Sequence, residues 1–283
     1  MYPFSVGVMI SNYLLPFEEA VERAARLSLD GIQLAGTRDE FYPDRVDAAK
    51  RRWLKELLAD KGLALSAVCG EQMLGFFNPE TNPQLIENSK KILDMAKELG
   101  CDIVTTHIGV VPEDTACERF HIMQDACGEL ARYADSMGSH FAIETGPETA
   151  DTLKVFLDSL GSRGVSVNLD PGNLVMCAGD DAVQAVHTLK EYIVHTHAKD
   201  GRQLHKEDLH HLYATAQAEQ YHGRYIEETR LGEGHVRYPE YLRALSQIGY
   251  TGFLTIEREC SDAPAEDIAY GAGYLRALIG AGC

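Results

Sequence analysis

Residues 140–173 read HFAIETGPETADTLKVFLDSLGSRGVSVNLDPGN. The stretch opens on a short apolar run, 140–146, and closes on a second, 165–172. Between them, over 148–161, apolar residues recur three and four apart. Short apolar runs bounded by glycine and proline read as strands, and the intervening spacing is that of an amphipathic helix. Strand, helix and strand within about 30 residues make a unit whose two strands run parallel. Both runs end in a carboxylate, Glu144 in the first and Asp170 in the second.

The same alternation extends outward in both directions. Toward the N-terminus, apolar runs at 4–10, 31–36, 63–70 and 102–109 are followed by helical periods at 15–28, 47–62, 82–100 and 119–138. Toward the C-terminus come a helix at 180–192, a run at 193–200, a helix at 238–249, a run at 252–259 and a helix at 264–280. Gly62, Gly100, Gly138, Gly161 and Gly249 stand near helix ends, where glycine relieves a left-handed backbone. Eight strands, each followed by a helical segment, predict an α/β fold with a parallel sheet. With no strong break in the chain, a single (β/α)8 TIM barrel over residues 1–283 is expected. An open, doubly wound sheet would usually carry a GxGxxG turn after its first strand, and FSVGVMIS at 4–11 has none. One long irregular region, 201–237, follows strand 7 and is expected on the face where barrel active sites form.

The net charge of −17 is poorly matched to a phosphate backbone, so nucleic acid is not expected as a partner. Seven scattered cysteines with no CxxC pair fit neither a disulfide framework nor a cysteine-based zinc site. No stretch approaches 18 uninterrupted apolar residues, and Met1-Tyr2-Pro3-Phe4 lacks the charged start of a secretory signal. A cytoplasmic protein without a membrane partner is expected. A homo-oligomer is compatible with these features, although no residue marks an interface.

Barrel chemistry sits at the C-terminal ends of the strands. Strand 5 ends in Glu144, strand 6 in Asp170, strand 7 in the cluster His197-Ala-Lys199-Asp200, and strand 8 in Glu257-Arg-Glu259. One such carboxylate could cap a helix or pair with a lysine. Three carboxylates packed at one barrel mouth repel each other unless one stays protonated or a cation lies among them. With an imidazole in the set, a divalent metal is expected, the mixed ligands suiting Mn, Co, Fe or Zn better than Mg.

ETGPET at 144–149, NLDPGN at 168–173, HTHAKD at 195–200, LGEGHV at 231–236 and GFLTIERE at 252–259 resemble the xylose isomerase-like barrels of the sugar-phosphate isomerase/epimerase superfamily. The resemblance is densest from 102 to 259. It implies that Glu144, Asp170, His197 and Glu257 bind one divalent ion, with manganese first and Co, Mg, Fe or Zn as alternatives. It also implies a small sugar or polyol substrate, with Glu144 and Glu257 doubling as proton-transfer groups. The expected function is isomerisation or epimerisation of a ketose or related polyhydroxy ketone through α-proton abstraction and an enediolate. The alternative is a lyase on the same scaffold, either dehydrating an inosose-like ketone or eliminating a β-substituent. Ketose 3-epimerases carry a histidine three residues after the strand-6 aspartate. Here that position is Asn173, whose amide donates a hydrogen bond but does not titrate.

Further residues are weighed on their positions. His107, at the end of strand 4, is expected to touch substrate. Lys199 either faces an oxyanion or pairs with Asp200. Glu148 either binds a substrate hydroxyl or favours the first turn of the next helix. His195, two residues before His197, faces the same side of its strand, deeper in the interior. Cys69 and Glu71 lie beyond strand 3, and Trp53 reads as helix packing. His205, His210 and His211 fit a solvated lid better than a second metal site.

Overall fold

The computed structural model describes residues 1–206 and 224–282. Eight parallel strands close into a barrel: β1 (Ser5–Met9), β2 (Gly31–Ala35), β3 (Ala64–Cys69), β4 (Ile103–Thr106), β5 (His140–Glu144), β6 (Val165–Leu169), β7 (Ile193–Ala198) and, after a two-stranded excursion, β10 (Phe253–Ile256). Around the ring the order is β1-β10-β7-β6-β5-β4-β3-β2. The barrel closes where Val6 pairs with Leu254 and Val8 with Ile256. The expected (β/α)8 architecture is therefore the one observed.

The outer layer is built from α1 (Phe17–Arg26), α2 (Ala48–Asp60), α3 (Asn82–Leu99), α4 (Glu118–Ser136) and α5 (Ala150–Leu160), then α6 (Pro171–Asn173), α7 (Ala182–Thr188), α8 (Tyr238–Gln247) and α9 (Pro264–Ala281). Local chemistry sets several of their ends. Asp47 and Thr149 accept from Lys50 N and Thr152 N, capping α2 and α5, while Gly100 and Gly161 end α3 and α5 in the left-handed conformation. Inward-facing Leu153, Phe156, Leu157 and Leu160 of α5 are buried against the sheet, realising the period read from 148–161. Trp53 packs at 6.0 Å from Phe17, as a helix-packing residue should.

Two segments differ from the sequence reading. After β6 the chain winds through α6 and a π-helical turn, Leu174–Ala178, before α7, which occupies only the middle of the expected 180–192 helix. Asp170 starts this turn by accepting from Asn173 N at 2.8 Å. The region after strand 7 is not wholly irregular. β8 (Asp200–Gln203) and β9 (Ile226–Thr229) form an antiparallel ribbon, Asp200 opposite Thr229 and Gln203 opposite Ile226. His205 is exposed beside this ribbon, while His210 and His211 lie outside the described residues. Among the described residues, no helix is long and apolar enough to cross a membrane.

Candidate metal centre

Four neighbouring strands deliver the expected ligands to one point. Glu144 is the last residue of β5, Asp170 follows β6, His197 is next to last in β7, and Glu257 follows β10. One ligand atom from each lies within 4.8 Å of the other three, and all four residues are buried. Among the described residues, no other group of three or more His, Cys, Asp or Glu converges in this way.

The geometry around His197 shows what the cluster requires. Its Nδ1 faces Glu144 Oε1 at 3.3 Å, Asp170 Oδ2 at 3.3 Å and Glu257 Oε2 at 3.2 Å. Its Nε2 lies 2.9 Å from Gln33 Oε1, and the Gln33 amide is turned that way because its Nε2 donates to Thr105 Oγ1 at 2.8 Å. Asn168 Nδ2 is farther from His197 Nε2, at 3.2 Å, and donates to Glu144 Oε2. Nε2–H therefore donates to Gln33, and the Nδ1 lone pair points at three carboxylate oxygens. That arrangement needs positive charge at Nδ1, either a proton or a cation. A buried set of three carboxylates and one imidazole nitrogen around a common point fits a divalent ion, with the outer nitrogen fixed by an amide carbonyl.

Proton affinities follow the same charges. Burial works to lower His197, but the Glu257 and Glu144 carboxylates outweigh it and hold the imidazole well above its ordinary range. Burial works to raise Glu144, yet His107 and His197 leave it lowered; Glu257 is held well below the carboxylate range, burial being outweighed by His197 and Lys199. Asp170, fully buried, is pushed up to about 6 by desolvation.

The other expected site residues gather around this centre. His107 Nε2 stands 3.5 Å from Glu144 Oε1, and its backbone N–H donates to Glu71 Oε2 at 2.9 Å. Asn173 Nδ2 donates to Glu144 Oε1 at 3.2 Å, so its amide braces a ligand. Lys199 Nζ lies 3.0 Å from Glu257 Oε2 and 2.6 Å from Glu259 Oε2. Glu148 accepts from Val111 N at 3.1 Å, and burial pushes its carboxyl up to about 7. His195 lies a layer deeper, held by Asn168 Oδ1 at 2.8 Å and Thr255 Oγ1 at 2.9 Å, and burial keeps it neutral. Cys69 is half-buried at the end of β3, its thiol pushed up to about 12 by desolvation.

Sequence reading missed Gln33, Asn168 and Glu228. The first two left a signal, Gln33 as the polar residue inside the apolar run GIQLAG and Asn168, with Ser166, inside VSVNLD. Glu228 is the third site residue missed. It sits in a polar stretch, and only the folded ribbon carries it to the barrel mouth.

Comparison with known proteins agrees with this architecture. The profile of the xylose isomerase-like TIM barrel family matches residues 21–278, and the chain belongs to that family. Inosose dehydratase from Lacticaseibacillus casei is 23% identical over 173 residues, a match spanning 57% of this chain and 57% of that protein, little more than half its length. A D-tagatose 3-epimerase-like protein superposes with a TM-score of 0.75 at 18% identity, covering 99% of this chain and 100% of the other. The IOLI protein, whose structure holds a zinc atom, superposes with a TM-score of 0.76 at 16% identity, covering 98% and 99%. At such identities the structural likeness speaks for the fold alone.

Proposed function

We propose that the protein is a divalent-metal-dependent isomerase or epimerase that acts on a ketose or related polyhydroxy ketone by removing the proton α to the carbonyl. The observation that carries this reading is the convergence of two carboxylates from well-separated strands. Glu144 and Glu257 each place an oxygen within 3.3 Å of His197 Nδ1, yet they come from β5 and from the end of β10, three strands apart around the ring. Two bases on opposite sides of one substrate position suit removal of a proton by one and its return to the other face by the second.

Glu144, Asp170, His197 and Glu257 would hold the ion, with manganese as first choice and Co, Mg, Fe or Zn as alternatives. Bound there, it supplies Lewis-acid stabilisation of the negative charge that grows on the substrate's carbonyl and hydroxyl oxygens. The chain's own groups do the rest. Glu144 and Glu257 are kept ionised and able to accept a proton, Lys199 restrains Glu257, and Asn173 and Asn168 restrain Glu144. His107 and Glu148 line the β4–β5 side, where they would meet substrate hydroxyls.

A second reading, dehydration of an inosose-like cyclic ketone, is favoured by Glu148. With its carboxyl pushed up to about 7, it retains a proton near neutral pH and could deliver it to a departing hydroxide. NMR of metal-loaded protein with ketoses and cyclic polyhydroxy ketones in D2O separates the two. Deuterium uptake with the carbon skeleton and its oxygens intact supports isomerisation or epimerisation, and loss of water supports dehydration. Absence of exchange with every ketone and every metal tried sinks both.

A further inference from the structure

Resting on this reading of the site, we propose that the substrate is uncharged, and that Asp200 and Glu228 exclude anionic groups by filling the places where a barrel of this kind would hold them. TIM barrels commonly seat a substrate phosphate on backbone N–H groups of the loops after their seventh and eighth strands. Here those loops begin at Lys199 and Glu257, beside the metal centre.

In both loops, backbone donors among the described residues are already taken by carboxylates. After β7, the buried Asp200 carboxylate accepts from Gly201 N at 2.8 Å and Val236 N at 3.0 Å through Oδ1. Through Oδ2 it accepts from Gly232 N at 2.9 Å and Gly234 N at 3.1 Å. Four N–H groups around one carboxylate make an anion nest whose anion is the chain's own. After β10, Glu228 Oε1 accepts from Glu259 N at 2.9 Å and Cys260 N at 3.3 Å, and pairs with Arg258 Nη1 at 2.7 Å.

The cations are taken as well. Lys199, the cationic side chain that touches the ligands, lies between Glu257 and Glu259, with Glu228 Oε2 at 3.9 Å. A groove of about 690 Å³ beside this corner holds Arg202, Arg230 and Arg258 against five carboxylates. Each of its guanidiniums is paired, Arg202 with Glu227, Arg230 with Asp267, and Arg258 with Glu228 and Asp267. On the β4 side, Arg119 donates to Val110 O and lies over the Phe77 ring. Residues 207–223 carry neither lysine nor arginine. Three ligand carboxylates, Lys199 and a divalent ion sum to zero charge. An entering phosphate or carboxylate would face Glu259 and Glu228 beside cations that are already paired, whereas hydroxyls need no neutralising partner.

The test compares matched neutral and anionic compounds on metal-loaded protein. Deuterium exchange is followed for a free ketose and its phosphate, and for a neutral cyclic ketone and its carboxylated counterpart. We expect kcat/KM for the neutral member to exceed that of the anionic one by at least roughly 100-fold, a lower bound on what two unscreened like-charge contacts near a protein surface would impose. Preference for the anionic member overturns the inference and leaves the isomerase reading intact. If no compound exchanges, the isomerase reading fails, and the inference is decided by calorimetric titration with inorganic phosphate. Sub-millimolar binding by the wild-type protein overturns it. Wild-type binding weaker than millimolar, with a gain of roughly fivefold or more in Glu259→Gln, supports it, because that change releases Lys199 from an exposed partner; no gain in the variant overturns it.

Discussion

At position 33 an amide is fully buried in a strand that otherwise carries apolar side chains, and two hydrogen bonds offset its desolvation. Its consequence reaches the candidate metal centre through His197, so Gln33 would act as a positioning residue. Gln33→Leu should weaken metal affinity by about 10- to 100-fold in a chelator competition, while Gln33→Glu, which keeps an acceptor, should retain most of it. Equal loss in both variants would show that packing at this position matters and the hydrogen bond does not. Glu148 offers a prediction about pH. Its carboxyl is raised to about 7 in the fold, so between its unfolded value and 7 the folded chain holds the extra proton, and stability falls as pH rises through that window. Glu148→Gln removes this dependence. Relative to wild type, the variant should gain roughly 2–3 kcal/mol between pH 5 and pH 8 in urea melts, and a constant difference would refute the shift. The candidate ligands were legible because each stands at the end of a strand run. Gln33 and Asn168 were visible only as blemishes in such runs, since nothing local says which neighbour a buried amide will reach.

Elements were legible to the degree that they are periodic. The helix from 150 to 160 and the strands beside it follow from spacing alone. The π-helical turn at Leu174–Ala178 does not, because it depends on the Asp170 cap and on packing against β8. The ribbon β8–β9 was hidden for a related reason. Its strands are polar and short, and what holds the following loop is one carboxylate, with Asp200 gathering the LGEGHV backbone around itself. Asp200→Ala should leave those N–H groups without their acceptor and cost on the order of 3 kcal/mol or more, with new proteolytic cleavage at 231–236. Unchanged melting and cleavage would show the nest to be dispensable. At the start of β6, Gly164 passes so close to α4 that a Cβ there would overlap Ala131 O and Asp135 N. Gly164→Ala should therefore destabilise by about 1–3 kcal/mol, checked by thermal unfolding.

For the whole molecule, the barrel was readable because strict alternation over eight units leaves few topologies. The candidate metal centre joins β5, β6, β7 and β10 at one end of that barrel, so a bound ion would tie four strands together. Elemental analysis should find about one divalent ion per chain, lost or weakened in Glu257→Gln. Ion at 100 times its dissociation constant should add about 2.7 kcal/mol, raising the melting temperature by several degrees and reversing on chelation. A melting curve indifferent to metal would argue against the site. The ring closes where β1 meets β10, a pairing between segments about 250 residues apart in sequence. Such distant pairing makes folding slow, because chain entropy is lost before the contact is gained. Glu257 stands directly after β10, whose pairing with β7 sets it beside His197, so the fourth candidate ligand arrives only when the last strand joins the sheet. During refolding, the appearance of tight ion binding should therefore time the docking of the last strand against β7, with a chromogenic chelator serving as the stopwatch.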